Sequence, residues 1–270
     1  MVTVRAVAVA AGTALLVAAA LPGFLRLLAE GGLARRNYRE RLVPVSAGFL
    51  PAFAAGFASI AHAAAENPLG FATAALTFGA LGIGLLDDVA GTRHETGLKG
   101  HFAALLRGKL TTGALKAILL PALALGVASS LKRPAPWVIV DAALMSLSAN
   151  AVNLLDVRPG RGIKGALLLL TAAALGSLSR PAADLWLAFA VSVAAYAPWD
   201  LRSRAMLGDS GANAFGLVAG WFCVLALSPV ARLVLLTLLS LVQVRAERDS
   251  LSRWIESSRL LSALDRWGRR

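Results

Sequence analysis

The chain has 270 residues, 57% of them hydrophobic, and a formal net charge of +12. Disordered and fibrous classes are excluded by so apolar a composition, and the repeated apolar runs of about 18–20 residues have the length that spans a bilayer. The single cysteine, Cys223, lies inside such a run, so a disulfide framework and a cysteine metal site are excluded and the residue reads as core.

In chain order, Val4–Leu28 comes first. It is longer than the apolar core of a signal peptide and further spans follow, so it reads as a membrane helix rather than a cleaved leader. The remaining predicted spans are Ala47–Ala64, Leu69–Leu86, Thr112–Leu131, Trp137–Leu155, Gly165–Leu178, Ala183–Pro198, Gly211–Leu227 and Val230–Val244. Gly165–Leu178 and Val230–Val244 are short for a span. Backbone inside lipid must satisfy its own hydrogen bonds, so an all-α polytopic transmembrane bundle of about nine spans is expected.

Basic residues orient it. Arg35, Arg36, Arg39 and Arg41 follow the first span, and Arg93, Lys99, Arg107 and Lys109 follow the third. Arg158, Arg161 and Lys164, then Arg202 and Arg204, occupy the next loops of the same set. The opposite set holds Lys132, Arg133, Arg180 and Arg232, with Arg5 at the N-terminus. The positive-inside rule then places the N-terminus outside and the C-terminus inside, and accounts for the basic charge without nucleic acid. Residues 1–244 read as one transmembrane domain and 245–270 as a basic cytoplasmic tail. In that tail Leu251, Trp254, Ile255, Leu261, Leu264 and Trp267 recur at helical spacing between arginines. An amphipathic helix in the membrane interface fits the pattern, as does a helix packed on the protein's own cytoplasmic loops.

Acidic and amide residues collect at the cytoplasmic ends of the spans. Asp87 and Asp88 end the third, and Asn150, Asn153 and Asp156 share one helical face at the end of the fifth. Asp209 and Ser210 precede the eighth. Carboxylates next to a membrane are costly unless paired or metal-bound, so their convergence on one leaflet points to a site. Magnesium prefers carboxylate oxygens and keeps waters or substrate phosphates as its other ligands, while Lys and Arg neutralise phosphate charge. Taken singly, each element has a structural alternative. The aspartate pair can be a solvated helix end, the asparagines interhelical hydrogen-bond partners, and Asp209 or Ser210 a helix cap. Asp141, at the outer end of its span, reads as a structural or interface residue. His62, His94 and His101 are dispersed and form no histidine-rich metal motif.

From Asn37 to Gly216 the motifs resemble those of the polyprenyl-phosphate N-acetylhexosamine-1-phosphate transferases, in the same order. Asn37-Tyr-Arg-Glu-Arg with Pro44 and Gly48 is similar to the family's first cytoplasmic segment, and Gly84-Leu-Leu-Asp-Asp-Val to its paired-aspartate motif. Gly97-Leu-Lys with Gly108-Lys-Leu resembles its lysine-bearing stretch, Asn150-Ala-Val-Asn-Leu-Leu-Asp156 its Asn-x-x-Asn-x-x-Asp segment, and Leu207-Gly-Asp-Ser-Gly its Gly-Asp-Ser/Thr-Gly motif. The resemblance implies Mg²⁺-dependent (or Mn²⁺-dependent) transfer of a sugar-1-phosphate from a nucleotide sugar, a UDP-sugar by the family pattern, to polyprenyl phosphate. The setting it implies is a bacterial inner membrane with a cytoplasmic site, in contact with membrane lipids, and a homodimer is compatible with it. It implies catalytic roles for Asp87, Asp88 and Asp209, and metal ligation by Asp88, Asp156 and Asp209. Substrate contacts would fall to Asn37, Arg39, Lys99, Lys109, Asn150, Asn153, Asp156, Arg158, Arg161 and Ser210.

Two departures from the family pattern stand out. Pro159 occupies the place of a carboxylate that helps hold uracil, and the tail carries no histidines in place of a His-rich loop. A non-catalytic relative that binds a lipid phosphate or scaffolds envelope enzymes is therefore the alternative reading.

Overall fold

The computed structural model describes residues 2–91 and 107–269. Its first apolar run forms α1 (Val4–Glu30), started by Thr3, whose hydroxyl accepts the Ala6 N–H at 2.9 Å. The segment after it, read from sequence as a loop, contains a hairpin in which β1 (Ala34–Arg36) pairs antiparallel with β2 (Leu42–Pro44), Arg35 opposite Val43. Asn37 shapes the turn, its Oδ1 accepting the N–H groups of Arg39 and Arg41 at 2.8 and 3.1 Å. An amide side chain bonding its own backbone in this way is a common turn-forming device. The apolar runs then become α2 (Phe49–Ala63), α3 (Gly70–Ala90), α4 (Thr112–Ser129), α5 (Ala135–Leu155), α6 (Arg161–Leu175), α7 (Arg180–Leu201), α8 (Gly208–Ala226) and α9 (Pro229–Arg248).

Six of these, α1, α3, α4, α5, α7 and α9, are long and apolar enough to cross a membrane. Helices α2 and α6 have 15 residues each, short of the roughly 20 that a hydrocarbon core asks for. Helix α8 is the centre of the fold: every residue from Ser210 to Val224 is buried, and it packs on α3, α5 and α6. Its run of Gly and Ala lets the neighbouring backbones come close, which is how helices associate where apolar surroundings offer little hydrophobic drive.

At the end of the bundle where α5 and α9 begin, Asp141 is wholly buried and paired with both Arg133 and Arg232, and the Arg232 guanidinium lies 4.9 Å from the Trp137 ring centre. This triad ties α9 to α5, the structural role expected for Asp141. Removing the one carboxylate between two cations leaves buried charge uncompensated, at a cost of about 3–5 kcal/mol. Asp141→Ala should therefore lower the thermal unfolding midpoint of the purified protein by many degrees, with Asp141→Asn in between. A midpoint within a degree of wild type would show that the triad contributes nothing.

The tail differs from the single predicted helix. Two short helices, α10 (Leu251–Ser257) and α11 (Arg259–Arg266), are separated at Ser258 because Ser250 and Ser258 each cap a new start. Leu251, Ile255 and Asp265 are buried against the body, while Trp254, Leu260, Leu264 and Trp267 remain exposed. Packing on the protein's own loops is thus observed.

Candidate functional site

The ends of α3, α5 and α7 meet the starts of α4, α6 and α8 at the other end of the bundle. Asp88 ends α3 and turns inward. Its Oδ1 accepts the Asp209 N–H at 2.9 Å, and its Oδ2 accepts the Ser210 N–H at 3.0 Å and the Ser46 hydroxyl at 2.7 Å. The first N–H groups of a helix have no partner within it and its dipole favours an anion there, so Asp88 caps α8. Two glycines admit this contact. Gly208 has φ +75°, and a Cβ on it would lie 2.6 Å from the Ser46 nitrogen and 2.8 Å from Asp88 Oδ2; one on Gly84 would lie 2.4 Å from the Asp209 carbonyl oxygen. Arg35 of the hairpin donates to the Asp88 carbonyl at 2.7 Å, bringing the hairpin to the same place.

With its backbone held by Asp88, Asp209 turns its carboxylate to Lys116. The Lys116 ammonium, one turn into α4, is 2.9 Å from Asp87 Oδ2 and also bonds Asp209 Oδ2, so one cation joins carboxylates from two other helices. Asp156, at the C-cap of α5, accepts the Gly208 N–H at 3.1 Å. Burial, and then the neighbouring charge of Asp200, push its carboxyl well above the usual carboxylate range, against the pull of that hydrogen bond. Asp200, buried near the end of α7, accepts the Gly160 N–H at 3.0 Å.

Beside this cluster opens a cleft of about 310 Å³, its mouth included, between the hairpin, the segment after α5 and the segment after α7. Asn37, Tyr38, Asp156, Arg158, Asp200 and Ser203 supply its polar lining and Pro159 and Met206 part of its apolar wall. The guanidinium of Arg158 lies 4.9 Å from the Tyr38 ring centre and that of Arg39 5.2 Å, so the ring is flanked by two cations. Asn37 Nδ2 and Ser203 Oγ are buried with no hydrogen-bond partner among the described residues. Buried polar atoms in a folded protein are nearly always paired, so unmet donors in a cleft point to a ligand.

Of the residues predicted from sequence, Asp87, Asp88, Asp156, Asp209 and Ser210 come together, with Asn37 and Arg158 on the adjoining cleft. The expected metal set of Asp88, Asp156 and Asp209 does not form a cage: among the described residues no three acidic, histidine or cysteine side chains are grouped to hold an ion. The reason is that Asp88 spends both oxygens on the start of α8 and Asp156 spends one on Gly208. Asn150 bonds Gln243 of α9, which makes it an interhelical tie rather than a pocket wall. Arg161, 4% exposed, is engaged by the tail. Asn153 is half-buried, Arg39 and Lys109 are exposed, and Lys99, with His94 and His101, lies outside the described residues. The sequence pattern does not single out Lys116 and Asp200, which the structure brings to the site. Each is a lone charge near the end of an apolar span, where charge is costly and retained for a reason; that was the available signal.

The class of protein so defined is a helical membrane bundle with a carboxylate–lysine cluster at one end, opening on a polar cleft. The glycosyl transferase family 4 model matches residues 70–227, the start of α3 to just past α8, and the chain belongs to that family. The match takes in Asp87, Asp88, Lys116, Asp156, Asp200 and Asp209, and leaves out the hairpin and the tail. No curated protein sequence matches the chain. Membership makes it a transferase, in a family that moves sugar phosphates onto lipid carriers.

Proposed function

We propose that the chain transfers a sugar-1-phosphate from a nucleotide sugar, a UDP-sugar in the first instance, to polyprenyl phosphate, with the clustered end of the bundle facing the cytoplasm. The observation that carries this reading is the convergence of Asp87 and Asp209 on one cation beside a cleft whose donors are unmet. The orientation rests on charge: Arg35, Arg36, Arg39, Arg41, Lys109, Arg158, Arg202, Arg204 and the arginine-rich tail lie at this end. Counting α2, α6 and α8 as spans gives the nine-helix topology that puts the two chain ends on opposite sides.

In the transfer, a phosphate oxygen of the lipid attacks the phosphorus that bears the sugar. The bond to the nucleoside phosphate breaks, and the nucleoside monophosphate leaves with that electron pair. A phosphate monoester is already mostly dianionic at neutral pH, its second pKa being near 6. Positioning and charge neutralisation therefore carry the step more than proton abstraction does. Lys116 lies where phosphate charge is to be met, Asp88 fixes the Asp209 backbone, and Asn37, Tyr38 and Arg158 meet the nucleotide in the cleft. Asp200 supplies a buried carboxylate to the cleft that Pro159 also lines, replacing the carboxylate missing from the family pattern.

The donor set suits magnesium, a hard ion that takes one or two carboxylates and completes its shell with water and phosphate oxygens. Asp87 and Asp209 would hold it, each having a carboxylate oxygen beyond the one bonded to Lys116, and among the described residues carboxylates outnumber cations in the cluster. Bound there, magnesium supplies neutralisation of phosphate charge.

The test is transfer of labelled sugar phosphate to undecaprenyl phosphate by the purified protein, read as organic-soluble label. Product that needs Mg²⁺ and disappears with a chelator is expected. Failure with every UDP-, CDP-, GDP- and dTDP-sugar tried would overturn the proposal in favour of a lipid-phosphate-binding scaffold.

A further inference from the structure

The segment 157–164 supplies one wall of the cleft and is held from both sides. From within, Asp200 accepts the N–H of Gly160, a residue at φ +78°. From without, the tail takes almost every polar group that the segment offers. Arg161 makes a two-pronged pair with Asp265, Nε to Oδ1 at 2.7 Å and Nη2 to Oδ2 at 2.9 Å, and its Nη1 donates to Ser252 at 2.7 Å. Lys164 donates to the carbonyls of Leu264 and Asp265 at 3.0 and 2.7 Å, and Arg269 donates to the Pro159 carbonyl at 3.0 Å. Glu256 lies 3.6 Å from Arg158, whose guanidinium stands over Tyr38.

A buried, bidentate guanidinium–carboxylate pair fixes direction as well as distance. Here it fixes the first turn of α6, and with it Val157, Arg158 and Pro159 on the cleft wall. Among the described residues that line the cleft none comes from the tail, so the tail braces the wall from behind.

We propose that the C-terminal tail is a working part of the donor site, with Asp265 a positioning residue that acts through Arg161 to hold segment 157–160 in shape for the nucleotide. This rests on the transferase reading given above. A wall ordered in advance spares the donor the entropy of ordering it on binding. Loss of the brace therefore weakens donor binding and leaves the chemical step, which takes place at Asp87, Lys116 and Asp209, largely intact.

The experiment uses the full chain in lipid nanodiscs and compares wild type with Asp265→Asn, Asp265→Glu and the swap Arg161→Asp/Asp265→Arg. Hydrogen exchange at 157–164 and the KM and kcat for the nucleotide sugar are read together. Asp265→Asn should speed exchange at 157–164 while the bundle stays protected, and raise KM about tenfold with kcat within about twofold of wild type, the scale of one charged hydrogen bond. Asp265→Glu and the swap should recover part of both. Unchanged exchange, or faster exchange with unchanged KM, would overturn the proposal, as would a loss confined to kcat. Should wild type turn over no nucleotide sugar, the transferase reading fails. The brace is then judged by thermal shift with UDP, CDP, GDP and dTDP. A shift in wild type that Asp265→Asn loses supports it, and no shift, or an equal one, sinks it.

Discussion

Lys116→Met should lower transfer by roughly 10²–10³-fold and also destabilise the protein, and Asp87→Asn in the same chain should recover the stability without the activity. Lys116 joins Asp87 and Asp209. Without it, two carboxylates from different helices face each other with no cation between them, at an effective dielectric well below that of water. The side chains are 17–28% exposed, so solvent screens part of the repulsion, and a loss of about 1–3 kcal/mol is expected rather than the larger cost of a sealed ion pair. Neutralising Asp87 removes the repulsion, and the two changes are therefore strongly non-additive in stability. Activity is a different quantity, because the ammonium is needed where phosphate charge develops, and a drop of roughly 10²–10³-fold is expected from losing one such group. Unfolding midpoints for the four chains of this cycle, with turnover for each, decide the matter. Additive midpoints, or a fully active Lys116→Met, would remove Lys116 from the site.

Asp209→Ala should leave the fold nearly unchanged while lowering transfer by about 10³-fold, some 4 kcal/mol of transition-state stabilisation. The contrast with Asp88 makes this informative. The α8 start is held through backbone N–H groups by the Asp88 carboxylate, and those contacts survive truncation of the Asp209 side chain. Asp88→Ala, by comparison, strips the cap from α8 and frees Ser46, so its loss of activity should come with a fall in stability. Circular dichroism melts alongside the transfer assay separate the two. An Asp209→Ala protein that melts like Asp88→Ala would mean that Asp209 is there for structure.

Much of this was legible in the chain itself. Apolar runs of bilayer length dictate helices, because backbone amides in such surroundings have no other partner. The polar residues at alternate helix ends, from Asp87 to Asp209, mark one end of the bundle for chemistry, and the family that their motifs resemble is the one whose model matches residues 70–227. Which way each polar side chain turns was beyond it. Adjacent Asp87 and Asp88 read alike in sequence, yet one reaches out to Lys116 and the other back to the backbone of α8. Asn150, on the motif face, bonds α9 instead. Arg161, chosen for phosphate, is claimed by Asp265, 104 residues further on. Helix and span follow from local composition and periodicity. The partner of a charged group depends on which helices pack together, through contacts between residues far apart in the chain, and only the assembled bundle decides that.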